Sequence, residues 1–244
     1  MPSLDQVVSQ TFQKRFKRKP SVFQAPGRLN LIGEHTDYND GFVMPAAVDR
    51  YTVFAIAPND NDRCNIYAYD FQEGVTFNLR DLNQGETWVN YLMGVLEGFT
   101  QKGLPVRGID CIFGGNIPTG AGLSSSASLC CGFAFALNEI FNCGLSRLAL
   151  AKIAQYSEND FVGVNCGLMD QYASLFGKKD SALLLDCRNL HHEYLPFLFE
   201  DVEILLIDSR VKHSLASSAY NERRASCERG VKILQKHHPH IHSL

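Results

Sequence analysis

Residues 123–141 carry apolar side chains nearly all round a helix, and this segment constrains the fold more than any other. A helix without a polar face has to be covered on every side, so it must lie in the core of a larger structure. The segments before it read mostly as strands, among them residues 51–57 and 109–113, whereas helical patterns follow it. Strands first and helices later predict an α+β fold rather than a regular series of βαβ units.

Further elements are expected on both sides of the apolar helix. The patterns predict a helix at residues 88–99, a second at 146–161 with Ser146 as its N-cap, a shorter one near 167–177, a last one at about 217–236, and strands at 22–25, 182–187 and 202–208. Pro26 and Gly27 predict a loop after the first of these strands.

Composition and charge exclude several classes of protein. A hydrophobic content of 45% and a formal net charge of −3 are ordinary for a globular protein and give no reason to expect nucleic acid. Only residues 14–19 are densely basic, and they are expected to form a solvated face. The eight cysteines form no C-x-x-C pair, which is typical of free thiols, and the sequence shows neither a signal peptide nor a membrane span. We therefore expect a cytoplasmic protein without a membrane partner.

The sequence GNIPTGAGLSSSASL, residues 115–129, joins a predicted strand to the apolar helix. Glycines allow the backbone to approach a ligand closely, and the unpaired N–H groups of a helix start attract anions. The lysine that precedes the serine or threonine of a P-loop is absent. A serine hydroxyl at the start of the helix can instead bind Mg²⁺, which supplies positive charge. The alternative is a glycine turn followed by a serine-capped core helix.

Two more segments carry chemistry. Residues 25–41 group acidic and polar side chains in a loop, a pattern suited either to the hydroxyls of a sugar or to a plain polar surface; the spacing of an EF-hand calcium loop is absent. In NCGLMDQY, residues 165–172, Asp170 stands among apolar residues, where a carboxylate needs a partner. It is either a general base or a residue that caps or pairs within the fold.

Together these segments resemble the galactokinases of the GHMP family of small-molecule kinases. GRLNLIGEHTDYNDGFVMP is similar to the galactokinase sugar-binding signature, PTGAGLSSSAS to the GHMP phosphate motif, GLMDQ to the segment with the catalytic aspartate, and SSAYNERR to a further galactokinase segment. The resemblance implies an α+β GHMP-kinase N-terminal domain (ribosomal protein S5 domain 2-like) at residues 1–195. Residues 196–244 would begin an incomplete second α+β domain.

The resemblance also implies roles for individual residues. Asp170 would accept the proton of the anomeric hydroxyl, and Arg28 beside it would stabilise charge on the phosphoryl group. Galactose would be contacted by Glu34, His35, Thr36, Asp37, Gly167 and Tyr220. The phosphates of ATP, the co-substrate, would be wrapped by Gly120, Ala121, Gly122, Leu123, Ser124, Ser125 and Ser126. Mg²⁺ would be held by Ser126 and Glu158.

The implied activity is ATP-dependent phosphorylation of galactose to galactose 1-phosphate. The alternatives are an N-acetylgalactosamine kinase and a non-catalytic sensor that binds galactose and ATP. Ala219 departs from the family pattern, with little expected effect. A third glycine-rich family motif has no counterpart here, because Gly230 is the only glycine after Gly177. We therefore expect a C-terminally truncated chain of low activity. The four terminal histidines are expected to belong to a solvated linker, and a metal site is the alternative.

Overall fold

Strands dominate the first half of the chain and helices the second, as the hydrophobic pattern predicts. The computed structural model describes residues 2–85, 88–199, 201–208 and 216–244. Within them the strands are β1 (Ser21–Asn30), β2 (Phe42–Val43), β3 (Pro45–Pro58), β4 (Arg63–Ala68), β5 (Glu73–Asn78), β6 (Ile109–Gly115), β7 (Ser181–Asp186) and β8 (His191–Pro196). The helices are α1 (Leu4–Phe16), α2 (Val89–Gln101), α3 (Ser125–Ile140), α4 (Arg147–Tyr156), α5 (Met169–Phe176) and α6 (Ala216–Gln235). A 3₁₀ turn covers Asp37–Asn39, and a π-helix, Ser157–Val162, continues α4.

The apolar segment forms α3, which lies in the core between the larger sheet and the neighbouring helices. Its residues Cys130, Cys131 and Phe133 are fully buried, as the pattern predicts. The helix begins at Ser125, two residues later than expected. Ser124 has a left-handed backbone with φ of 54°, which an α-helix cannot include.

Five strands form the larger sheet in the order β1-β3-β6-β4-β5, in which only the β4–β6 pair is parallel within the described residues. The smaller sheet has the order β2-β7-β8 and is antiparallel. The α+β class is therefore confirmed. The loop that follows β6 lies against β1, because the backbone N–H of Arg28 donates to the carbonyl oxygen of Leu123 at 3.1 Å.

Helix α1 covers the face of the larger sheet opposite α3. Its buried Val8 and Phe12 pack against Val53 and Ile112. The basic run at the end of α1 is largely solvated, as expected, except that Arg18 is half-buried and forms an ion pair with Asp110. The sequence pattern gave no helix at this place, because the apolar positions of α1 are few and separated by polar residues.

Two predicted elements are wrong. Strand β1 continues through Pro26 and Gly27, where a loop was expected; a register shift between Pro26 and Arg28 lets the ladder with β3 pass the proline. Residues 202–208 form no strand, because they have no partner strand within the described part of the chain. No helix among the described residues has the length and apolar character needed to cross a lipid bilayer.

Candidate active site

Three segments that are distant in sequence open into one cavity of about 540 Å³, called here the central pocket. They are residues 31–41 (the β1 loop), residues 120–126 (the glycine-serine loop) and the start of α5. The predicted site residues that line the pocket are Arg28, Glu34, His35, Asp37, Gly120, Gly122, Leu123, Ser124, Ser125, Ser126, Glu158, Asp170 and Tyr220. Thr36 and Ala121 lie in these segments, and Gly167 lies two residues before α5, but none of the three lines the pocket.

Arg28 on β1 and Asp170 in the first turn of α5 form an ion pair at the pocket wall. Arg28 Nε donates to Asp170 Oδ1 at 2.7 Å, and Arg28 Nη2 lies 2.7 Å from the same oxygen. Arg28 Nη1 also donates to the carbonyl oxygen of Gly122 at 2.7 Å, and the Ser124 hydroxyl donates to Asp170 Oδ2. These contacts hold the carboxylate in one orientation at the pocket wall, which a general base requires.

A second carboxylate, Glu158 on the π-helix, lies deeper in the pocket and is only 5% exposed. Its Oε2 accepts a hydrogen bond from the Ser126 hydroxyl at 2.9 Å, and its Oε1 accepts one from Gln171 Nε2 at 2.9 Å. Burial, together with the nearby charge of Asp170, raises the pKa of Glu158 to about 7. A cation bound beside Glu158 would offset both effects and favour the ionised carboxylate.

The Ser126–Glu158 pair fits a Mg²⁺ ion. Mg²⁺ is usually held by one or two protein oxygens, with phosphate and water oxygens completing its coordination. The described residues contain no group of three or more His, Cys, Asp or Glu side chains arranged for a metal. The buried Gln171 Oε1 beside Glu158 has no hydrogen-bond partner in the structure, which leaves an acceptor available to a coordinated water.

The β1 loop is closed by its own hydrogen bonds. The Thr36 hydroxyl lies 2.7 Å from the carbonyl oxygens of Gly33 and Phe42, so this side chain shapes the loop. His35, which has a left-handed backbone with φ of 62°, places Nδ1 at 2.6 Å from the Tyr38 hydroxyl. The imidazole is thereby oriented at the pocket wall.

Asp37 packs directly against the segment that carries Asp170. A Cβ atom at Gly167 would lie 2.0 Å from Asp37 Oδ2, so only glycine permits this approach. Burial, followed by the charge of Asp170, raises the pKa of Asp37. Burial, followed by the nearby charge of Asp37, raises the pKa of Tyr220, so α6 also reaches this part of the pocket.

A smaller cavity of about 220 Å³ adjoins the glycine-serine loop at Ser125 and Ser126. Its walls are mainly apolar and include the aromatic side chains of Phe71, Trp88, Tyr91 and Phe113. Sequence reasoning missed these residues, because the apolar spacing in α2 and β6 predicts core packing and gives no sign of a cavity. It also missed Asn221 and Arg224 on α6, which contact the segment before Gly167.

Two family models match the chain. The galactokinase galactose-binding signature matches residues 10–58, and the GHMP kinases N terminal domain matches residues 90–178. The two matches include the β1 loop, the glycine-serine loop and Asp170.

Curated relatives are named galactokinase. The chain is 46% identical to the galactokinase of Thermotoga petrophila and 46% identical to that of Thermococcus kodakarensis, over 87% of this chain and 60% of each relative. It is 42% identical to the galactokinase of Chloroflexus aurantiacus, over 92% of this chain and 58% of the relative. The chain thus spans about 60% of the length of these relatives.

Solved structures give the same result. The Lactococcus lactis galactokinase, crystallised with galactose, superposes with a TM-score of 0.87 at 33% identity, covering 96% of this chain and 62% of that one. The Methanococcus jannaschii mevalonate kinase superposes with a TM-score of 0.62 at 18% identity, covering 75% of this chain and 57% of that one, and so shows the fold alone. The chain therefore carries the galactose-binding signature of galactokinases and the N-terminal domain of GHMP kinases, on a fold shared with a solved galactokinase.

Proposed function

We propose that this chain phosphorylates D-galactose with ATP at the anomeric oxygen and so produces galactose 1-phosphate. One observation carries the proposal: the Arg28–Asp170 pair stands where the β1 loop and the glycine-serine loop open into one pocket. The names of the curated relatives and the galactose in the Lactococcus lactis structure support galactose as the sugar. The cytoplasmic location expected from the scattered cysteines remains part of this proposal.

The β1 loop would bind the sugar. Glu34, His35 and Asp37 bring carboxylate and imidazole groups to one side of the pocket, and Tyr220 brings a hydroxyl from α6. These groups can accept or donate the several hydrogen bonds that a sugar offers. Gly167 would contribute by letting Asp37 approach, and Thr36 by keeping the loop closed.

The glycine-serine loop would bind the phosphates of ATP at the start of α3, where backbone N–H groups are unpaired. Residues 120–126, including Ala121 and Leu123, would surround the phosphates, and the N–H groups at the start of α3 would bind them. Mg²⁺ bound by Ser126 and Glu158 would neutralise charge on the phosphate oxygens. The base of the nucleotide would enter the adjoining apolar cavity, where Trp88 and Tyr91 offer aromatic surface.

Asp170 would accept the proton of the anomeric hydroxyl as that oxygen attacks the terminal phosphorus. The ion pair with Arg28 and the hydroxyl of Ser124 fix the carboxylate, so the base is positioned before the sugar arrives. Arg28 also reaches the glycine-serine loop through Gly122, and its guanidinium can stabilise charge on the transferred group. Positioning and electrostatics are the main contributions expected of a phosphoryl-transfer enzyme.

The test is an assay of ADP release by the purified chain with Mg·ATP and a panel of D-galactose, D-glucose and N-acetylgalactosamine. Galactose-dependent ADP release that exceeds the rate with the other two sugars is expected. A higher rate with N-acetylgalactosamine would reassign the sugar. Galactose binding by calorimetry without ADP release would instead support a non-catalytic sensor, and absence of both would refute the proposal.

A further inference from the structure

Helix α6 docks through two side chains on residues 163–166, the segment that leads to Gly167 and Asp170; it is called here the 163–166 loop. Asn221 Oδ1 accepts the backbone N–H of Asn165 at 2.9 Å, and Asn221 Nδ2 donates to the carbonyl oxygen of Gly163 at 3.0 Å. One amide side chain thus satisfies a donor and an acceptor of the loop backbone. This double contact fixes the position of the loop against α6.

Arg224, one turn further along α6, connects the same loop with the β1 loop. Its Nη1 donates to the carbonyl oxygen of Asn165 at 3.0 Å and reaches that of Cys166 at 3.4 Å. Its guanidinium carbon lies 5.7 Å from the centre of the Tyr38 ring, and its Nε donates to Glu228 Oε1 at 3.2 Å. The planar guanidinium can make the two carbonyl contacts and stack on the ring at the same time.

The opposite side of the 163–166 loop is held by the π-helix. Asn159 Oδ1 accepts the N–H of Cys166 at 3.0 Å, and Asn159 Nδ2 donates to its carbonyl oxygen at 3.1 Å. The loop therefore lies between Asn159 and the two α6 side chains, and loss of the α6 contacts would leave it held from one side. Gly167, which packs on Asp37, is the next residue.

Among the described residues, the glycine-serine loop has no such direct contact with α6. Within the described part of the chain, no hydrogen bond joins α6 to residues 120–126, and Asp170 is held by Arg28 and Ser124. A change in the docking of α6 should therefore reach the sugar-binding groups first.

We propose that Arg224 and Asn221 are positioning residues for the sugar. They fix the 163–166 loop and Tyr38, and through them Gly167, Asp37 and His35, without touching the sugar themselves. The inference rests on the proposed function, because it assigns the sugar to this half of the pocket.

Arg224→Ala removes a charged hydrogen-bond donor and should weaken galactose binding about tenfold. The KM for galactose should rise accordingly, whereas the KM for ATP and the kcat at saturating galactose stay close to wild type. Asn221→Ala should act in the same direction. Arg224→Lys should restore part of the affinity, because its ammonium can reach the carbonyl oxygens but cannot stack as a plane on Tyr38.

Arg223→Ala is the matched control. Arg223 precedes Arg224 on α6 and carries the same charge, but it is exposed and forms no ion pair or hydrogen bond among the described residues. Amide hydrogen exchange of residues 163–168 in the ligand-free variants measures the docking of the loop without any substrate. Galactose affinity by calorimetry and the two KM values measure its consequence.

Faster exchange at residues 163–168 with weaker galactose binding in Arg224→Ala, and neither in Arg223→Ala, would support the proposal. Unchanged exchange, or faster exchange with wild-type galactose affinity, would overturn it. A rise in both KM values together would also overturn it, since that pattern indicates general damage. Absence of galactose binding in the wild-type chain would instead refute the proposed function, and hydrogen exchange would still show whether Arg224 holds the loop.

Discussion

Asp170 is the single residue on which the proposed chemistry depends most. Asp170→Asn keeps the size of the side chain and an oxygen for Arg28, but an amide cannot take up the proton. We expect kcat for galactose-dependent ADP release to fall ~10²–10⁴-fold. Galactose affinity, measured by calorimetry, should change little.

Asp160 on the π-helix is exposed, and Asp160→Asn is the control for loss of a nearby carboxylate. This variant should retain wild-type turnover. Near-normal turnover in Asp170→Asn would remove its role as base. Loss of galactose binding would make it a recognition residue.

The prediction for Glu158 concerns the binding of Mg²⁺. Glu158→Gln keeps an acceptor for Ser126 but removes the buried charge that would attract Mg²⁺. The Mg²⁺ concentration for half-maximal activity should therefore rise, whereas the affinity for galactose should stay unchanged. A titration of activity against Mg²⁺ measures the midpoint; Glu193→Gln, on an exposed residue of β8, is the control. An unchanged midpoint in Glu158→Gln would show that the carboxylate serves only the packing of the π-helix.

Chemistry alone singled out the segments of the central pocket in the sequence, whereas their grouping into one site was predicted from the resemblance to galactokinases. Asp170 and the β1 loop are polar groups in apolar surroundings, and such groups need partners or ligands. Trp88 and Arg224 carry no such sign, because an aromatic residue on an amphipathic helix and an arginine on a polar helix are both ordinary. Their roles depend on which distant backbone they meet, and periodicity does not contain that information.

Among the elements, the π-helix is held in place by close packing on α2. A Cβ atom at Gly94 would lie 2.4 Å from Ser157 Oγ and 2.8 Å from Phe161 Cβ. Gly94→Ala should therefore push the two helices apart and lower the free energy of unfolding by about 1–3 kcal/mol. Urea unfolding measures it, with Gly85→Ala, where an added Cβ meets nothing within 4 Å, as the control. Equal stability of the two variants would contradict the packing at Gly94.

The turn between β7 and β8 makes stability depend on pH. Asp186 accepts hydrogen bonds from the side chain of Arg188, from its backbone N–H and from Asn189, and these lower the pKa of Asp186 from 3.8 to about 2. Because the folded-state pKa lies below the unfolded value, ionised Asp186 stabilises the fold above about pH 4. This contribution is lost as the pH falls from there through about 2.

Asp186→Asn should accordingly lower the free energy of unfolding at pH 7, and its difference from wild type should shrink below pH 4. Urea unfolding between pH 7 and pH 3 measures this difference, with the exposed Asp201→Asn as the control. A difference that stays constant over this range would show that the charge of Asp186 plays no part.

The two wrong element predictions share a cause. Pro26 and Gly27 favour a loop locally, but the register shift and a hydrogen bond from Ser174 to the carbonyl oxygen of Pro26 keep them in β1. Residues 202–208 have strand propensity, but a strand requires a partner. In both cases the tertiary environment decides, and it cannot be read from local composition.

At the scale of the whole molecule, residues 202–207 form an exposed apolar segment. Leu205 and Ile207 are 79% and 82% exposed, and Val202 is 62% exposed. Contiguous apolar surface of this kind promotes association between molecules. The double variant Leu205→Lys, Ile207→Lys should raise the protein concentration at which light scattering detects oligomers, and it should change the free energy of unfolding by less than about 0.5 kcal/mol.

Ile233→Lys on α6, where the replaced side chain is 61% exposed, is the control for added charge. It should leave the onset of association near that of wild type. An identical onset in all three proteins would show that the segment does not cause association.

The ion pair between Arg28 and Asp170 joins residues 142 positions apart in the chain, and this distance matters while the protein is being made. At ~5–20 residues per second, the ribosome delivers Asp170 roughly 7–30 s after Arg28. By then β1, β3 and β6 have all been synthesised. A nascent chain can therefore form most of its larger sheet before Asp170 is available to pair with Arg28. The proposed catalytic pair thus forms only after most of the larger sheet has been made, and a messenger cut short before codon 170 would yield a chain with that sheet but without the proposed base.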